Sequence, residues 1–164
     1  MPRAAAFEHR LAAAVADPGV MRVWTSWYDQ LPPDATASLG SATREEFDAG
    51  VAAGLSHAPA AVRFDLAKRG EPYGTTSLYD ILHLVKTYDL TGVADQIRCP
   101  TLVTDPEDEA FWPGQAEELH AALTCPKTLM RFTAAEGASG HCAPLAATLF
   151  CQRVFDWLED TLKP

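Results

Sequence analysis

The chain has 164 residues, 48% of them hydrophobic and 21% charged, with a formal net charge of −9. That length suits one domain with a real core, and the composition is ordinary for a globular protein. The acidic balance argues against nucleic acid, whose phosphates call for clustered Lys and Arg, and against an anionic membrane surface.

The Ala-rich start has charge in its middle, at Phe7-Glu8-His9-Arg10, and is not read as a signal peptide. No apolar run reaches the length of a bilayer span. Ala4 to Val15 holds strong helix formers, then stops at the turn Asp17-Pro18-Gly19. One long helix fits this stretch, and so does a short helix followed by a buried strand. Trp24, Trp27 and Tyr28 come next, and Asp34 to Gly40 reads as a loop. A capping-box pattern, with Ser41 or with Thr43 and Glu46, opens a helix to about Leu55. Val62 to Lys68 predicts another helix, ended by Arg69-Gly70-Glu71-Pro72. Thr76-Ser77 caps a helix from Leu78 to Tyr88, with Leu78, Ile81, Leu82 and Val85 at helical spacing. Residues 20–97 therefore read as helical, without strands.

From Gln96 the pattern changes. Cys99-Pro100 leads into a short strand around Leu102-Val103, and Pro113-Gly114 precedes a helix from Gln115 to Leu123. Thr128 to Thr133 is a further strand, and Leu145 to Leu162 a closing amphipathic helix carrying Phe150, Val154, Trp157 and Leu158 on one face. Strand, helix, strand, helix in this order calls for a parallel α/β sheet.

Functional side chains in such a sheet sit beyond the carboxyl ends of the strands. Asp105, Glu107, Asp108 and Glu109 fall there after one strand, and His141 after the next. An acid followed by a histidine supplies the last two members of a Ser…acid…His triad. The acid orients the imidazole and the imidazole moves protons. The residues alone leave four acids competing. No nucleophile precedes them convincingly. Gly54-Leu55-Ser56-His57-Ala58 misses the G-x-S-x-G elbow and lacks its strand, Ser139 lacks the same context, and Cys142 adjoins His141 at a turn where neighbours point apart. Trp24, Trp27 and Tyr28 could line an apolar pocket or serve as core aromatics. His9, His57, His83 and His120 show no ligand spacing, and Cys99, Cys125, Cys142 and Cys151 form neither a disulfide framework nor a Cys-x-x-Cys zinc pattern. The expectation is reduced thiols, a cytoplasmic protein, no metal and no cofactor.

Ile97-Arg98-Cys99-Pro100-Thr101-Leu102-Val103, Phe111-Trp112-Pro113-Gly114-Gln115, Glu136-Gly137-Ala138 with His141-Cys142, and Phe155-Asp156-Trp157-Leu158 together carry a resemblance. The chain resembles the C-terminal half of an α/β-hydrolase. It looks most like the bacterial dipeptidyl-aminopeptidase/acylaminoacyl-peptidase-like group that includes the 2,6-dihydroxypseudooxynicotine hydrolase type. The match is dense from Cys99 onward. It is looser over the helical region, where Leu66-Ala67-Lys68-Arg69-Gly70 and Tyr88-Asp89-Leu90 fit best.

The resemblance implies a partial α/β-hydrolase fold, with about three parallel strands at residues 10–16, 101–105 and 128–133 and flanking helices. Residues 1–19 and 98–164 would form half of the core, and 20–97 an inserted helical cap or lid. Met1 to Glu8 would be the helix that follows the nucleophile elbow. His141 matches the family's catalytic histidine. Aligning Thr101-Leu102-Val103 and Pro113 places Glu109 at the triad acid, and because the family more often has Asp there, Asp108 is the alternative. No residue matches the serine, whose elbow would fall before Met1 together with about five strands.

The expected function is that of a serine hydrolase acting on ester, peptide or C–C bonds, present as a truncated or split piece and inactive alone. The alternative is a non-catalytic cap-bearing module that binds a small ligand or a partner chain. A third possibility is a self-sufficient enzyme using Ser56 or Cys142. The expected partners are a small-molecule substrate and, at the exposed apolar edge of the first strand, a second copy or a complementary N-terminal fragment.

Overall fold

The structure is a computed structural model describing residues 2–163. Met1, which opens the expected first helix, and Pro164 lie outside the described residues. In chain order the chain forms α1 (Pro2–Ala5), β1 (Ala14–Ala16), α2 (Thr25–Tyr28), α3 (Pro33–Leu39), α4 (Arg44–Ser56), α5 (Ala60–Gly70) and α6 (Leu78–Val85). Then come β2 (Thr101–Pro106), α7 (Gln115–Ala122), β3 (Lys127–Phe132) and α8 (Ala147–Leu162). Two compact units result. One joins the residues up to Val23 with those from Asp89 onward, and the other is Trp24–Tyr88.

The first unit is α/β. Its three strands are all parallel, in the order β1-β2-β3. Val15 pairs with Leu102, and Leu102 with Thr128. Central β2 has Leu102 and Val103 fully buried, as a strand covered on both faces must. Ala116, Leu119 and Leu123, from α7 and its end, pack with Ala14, Ala16 and Val103. On α8, Phe150 lies 5.2 Å from Phe132, and the Trp157 indole donates to Thr128 at 3.1 Å.

Gly19 returns the chain from β1 against β2 and α7, and its N–H donates to the Thr104 carbonyl at 3.0 Å. A Cβ at this position would come within 2.4 Å of Val103 and 2.7 Å of the Ala116 backbone. Only glycine permits that approach.

The helical unit has its own core of Trp27, Leu39, Phe47, Leu78, Ile81, Leu82 and Val85. The Thr43–Glu46 capping box opens α4 and the Ser77 side chain caps α6. The 3.6-residue spacing of Leu78, Ile81, Leu82 and Val85 is realised as the buried face of α6.

Three expectations are corrected. Residues 34–40 are not a loop, because Pro33 begins α3 with Asp34 in its first turn, a favourable helix start. Both N-terminal readings were too long: the helix stops at Ala5 and the strand is only Ala14–Ala16. Between them the Glu8 carboxylate accepts from Arg10 N and Nε, both at 2.9 Å, and bends the chain. The helical region is narrower than 20–97, since Met21, Leu90, Ala94 and Ile97 pack in the core of the sheet. An isolated antiparallel bridge, Arg22 to Asp89, closes its two ends. As expected, β1 is an edge strand, and its outer side pairs with no described strand, while Ala14 and Ala16 are themselves buried.

No helix among the described residues is long and apolar enough to cross a membrane.

Candidate active site

The loops that follow β2 and β3 meet. The Glu107 N–H donates to the Phe132 carbonyl at 2.8 Å, continuing the ladder one residue past β2. The Glu107 carbonyl accepts from Gly140 N at 2.6 Å, and its carboxylate accepts from Ala134 N at 2.6 Å. Gly140 has φ 82°, a left-handed conformation that suits glycine and lets the histidine loop double back. These bonds bring the acidic loop beside His141.

Glu109 is the acid that reaches it. His141 Nδ1 lies 2.9 Å from one Glu109 carboxylate oxygen and 3.1 Å from the other. An ionised carboxylate only accepts, so the proton sits on Nδ1. Nε2 is left without a hydrogen bond among the described residues and is the atom available to chemistry. The Glu109 side chain is 8% exposed and the His141 side chain 33% exposed. The acid is thus shielded while the ring keeps an open side.

Glu109 also accepts from the backbone N–H of Phe111, at 2.9 Å, and of Trp112, at 3.3 Å. Its side chain therefore organises the turn that presents it. The same two residues flank the imidazole, Phe111 edge-on at 4.9 Å and Trp112 at 5.6 Å between ring centroids. The Trp112 indole donates to the Val23 carbonyl at 3.3 Å.

The other acids are engaged elsewhere. Asp105 pairs with Arg131 at 3.4 Å, and burial raises its pKa against the pull of that guanidinium. Glu107 ties the loops together through the bonds above. Asp108 is exposed, at φ 61° in the turn, and touches no described ring nitrogen of His141.

The remaining candidates are dispersed. Ser56 is the last residue of α4, in the helical unit, and donates to the Ala53 carbonyl at 2.6 Å. Cys142 sits at φ 59°, and its thiol is pushed up to about 11 by burial, then by Asp17 and Glu109. A thiol so held stays protonated at neutral pH and makes a poor nucleophile. Asp17 also accepts from Thr104 Oγ1 at 2.5 Å, so three segments close around the foot of the histidine loop. Trp24 and Tyr28 pack at the edge of the helical core, and the buried Trp27 floors a groove in the same unit. No group of three or more His, Cys, Asp or Glu among the described residues could hold a metal ion.

Phe111 and Trp112 belong to the segments that carry the resemblance, and their contact with the imidazole is not an expectation of the sequence. The signal was present. A glutamate two and three residues before two backbone donors is placed to organise a turn, as shorter polar side chains do. The Asp17–Thr104 bond joins residues 87 apart and has no local signature.

No family model matches the chain, and no curated protein does. Among solved structures it is similar to the enol-lactonase from Burkholderia xenovorans LB400, at 18% identity and a TM-score of 0.46 over 96% of this chain and 60% of that one. It is also similar to a hydrolase from Pseudomonas aeruginosa PA01, at 16% identity and a TM-score of 0.41 over 92% of this chain and 55% of that one. The chain thus spans little more than half the length of either.

Proposed function

We propose that this chain carries the histidine and acid of a serine-hydrolase triad of α/β-hydrolase type, with the serine supplied from outside residues 1–164. The carrying observation is the pair itself. A shielded Glu109 holds His141 Nδ1 at 2.9 Å, beyond the ends of two parallel strands, and leaves Nε2 open. The resemblance of the segments around Leu102, Pro113 and His141 to the dipeptidyl-aminopeptidase-like hydrolases supports the same reading. In this reaction a serine hydroxyl attacks the substrate carbonyl while His141 Nε2 takes its proton. That proton passes to the leaving group as the acyl bond breaks. Water, deprotonated by the same nitrogen, then releases the acid product and restores the serine. Glu109 keeps the ring in the tautomer this requires, and Asp108 is the alternative acid.

The substrate class is an ester, amide or activated C–C bond in a small molecule. The outer edge of β1 is where a strand bearing the nucleophile would pair, from a longer chain or a complementary fragment. Four unpaired cysteines suit a reducing cytoplasm. A second reading, a ligand-binding module without catalysis, draws on the groove floored by Trp27 in the helical unit.

Treating the protein as its native gene expresses it with a fluorophosphonate probe, then mapping the labelled peptide, decides between them. Label on a serine of a G-x-S-x-G sequence outside these residues, lost in His141→Ala, is expected. Label on Ser56, Ser139 or Cys142 overturns the proposal, and no label in an intact complex favours the binding module.

A further inference from the structure

Trp112 joins the imidazole of His141 to the place where the chain leaves the sheet unit. All three of its polar groups are engaged. Its backbone N–H donates to Glu109 at 3.3 Å, its carbonyl accepts from Gln115 N at 3.2 Å, and its indole N–H donates to the Val23 carbonyl at 3.3 Å. The ring lies 5.6 Å from the imidazole, tilted by 50°. Backbone bonds at one end and the indole bond at the other set the plane of this half-buried ring.

Val23 is a firm anchor. It is the last residue of the sheet unit before Trp24 begins the helical one. The two residues before it are clamped by α7. The Gln115 side-chain oxygen accepts from Met21 N at 2.9 Å and from Arg22 N at 2.8 Å, and the Arg22 guanidinium donates to Glu118 at 2.6 Å. On the other side, Leu90 N donates to the Met21 carbonyl at 2.9 Å and Arg22 bridges to Asp89. Gln115 is buried, so water competes poorly for its bonds.

The two aromatic walls of the imidazole therefore differ. Phe111 is exposed, meets the ring edge-on at 4.9 Å, and carries no polar atom on its side chain to tether it. Trp112 is tethered. Phenylalanine in its place would supply the wall without the tether. A hydrogen bond from Nδ1 weakens steeply as the ring tilts away from its acceptor. The fixed wall limits that tilt.

We propose that Trp112 is a positioning residue for His141 and passes the placement of the Met21–Val23 segment on to the imidazole. Nε2 is then aimed by the segment through which the chain enters the helical unit, as well as by Glu109. This deepens the reading of His141 as the triad base and rests on it.

The test follows the exchange of His141 Nδ1–H with water, by proton NMR of the full chain near neutral pH. Trp112→Phe keeps an aromatic wall and removes the indole donor. It should speed exchange about fivefold, the size of one net hydrogen bond. Gln115→Ala frees Met21 and Arg22 and should also speed exchange, but only while Trp112 is present. In the Trp112→Phe background it should add nothing, a non-additivity that transmission through Trp112 requires and general loosening does not produce. Glu118→Ala, a surface change that releases Arg22 alone, makes the same comparison if Gln115→Ala does not fold. Unchanged exchange in Trp112→Phe, or additive effects of the two changes, overturns the proposal. A native chain with no Nδ1–H resonance removes the Glu109–His141 pair and this inference with it. A native chain that shows the resonance, with Trp112→Phe exchanging at the native rate, removes this inference alone.

Discussion

Gly19 and Gly50 are the same residue put to opposite uses. Gly19 lies in the sheet unit, where an added Cβ would drive into Val103 and Ala116; Gly50 lies in the helical unit, where it would meet nothing. The contrast extends to the units around them. In the sheet unit, backbone and side chains close on one another at the strand ends, and Glu109 makes hydrogen bonds to three separate groups. In the helical unit, α4 and α5 hold only Phe47 and Gly70 buried and leave a wide groove. Tight packing fixes a geometry to a fraction of an ångström, whereas a loose wall leaves room for something else. A site that must orient one proton belongs in the first kind of region, and a site that accepts a ligand belongs in the second.

The contrast can be broken or sharpened by substitution. The largest effect is expected at Leu102, fully buried in β2. Leu102→Ala should cost about 3 kcal/mol in denaturant unfolding, from lost burial and the cavity left behind. Leu66→Ala, on partly exposed α5, should cost clearly less. Equal costs would mean the two units are packed alike. Gly19→Ala should destabilise by about 2 kcal/mol through overpacking, and Gly50→Ala should stabilise by about 1 kcal/mol through helix propensity. Two changes of the same sign would contradict the comparison. Thr43→Ala removes one side of the capping box of α4 and should cost about 1 kcal/mol.

The smallest effect is one of pH. The Cys142 thiol is raised from 9.0 to about 11 in the fold, so ionisation favours the unfolded chain. The stability this lends is complete below about pH 9 and is lost as pH rises through about 11. Cys142→Ala should flatten that decline. At pH 8, iodoacetamide should modify the exposed Cys151 before Cys142. The reverse order would show a reactive thiol beside His141.

Much of this was legible in the chain. The alternation of short apolar runs with helical periods from Cys99 onward placed β2, α7, β3 and α8 within a few residues, because each element satisfies its own periodicity. The pairing of an acid with His141 could be read from strand ends, because a parallel sheet sends both loops to the same side. The choice among four acids could not be made from the residues alone. It turns on which side chain the turn at Asp108 and the Glu107–Gly140 bond carry toward the imidazole, and these are tertiary facts. Asp34 to Gly40 reads as a loop, yet proline at a first helical position is compatible with helix, and α3 begins at Pro33. The groove was invisible because two isolated glycines in a helix carry no local mark of open space. Of Trp24, Trp27 and Tyr28, only Trp27 lines it.

Proton NMR of the imidazole tests directly whether Glu109 holds a proton at His141 Nδ1. A slowly exchanging, far-downfield Nδ1–H resonance is predicted for the native chain, retained in Asp108→Asn and lost in Glu109→Leu. A resonance that survives Glu109→Leu and disappears in Asp108→Asn would contradict it and move the acid by one residue.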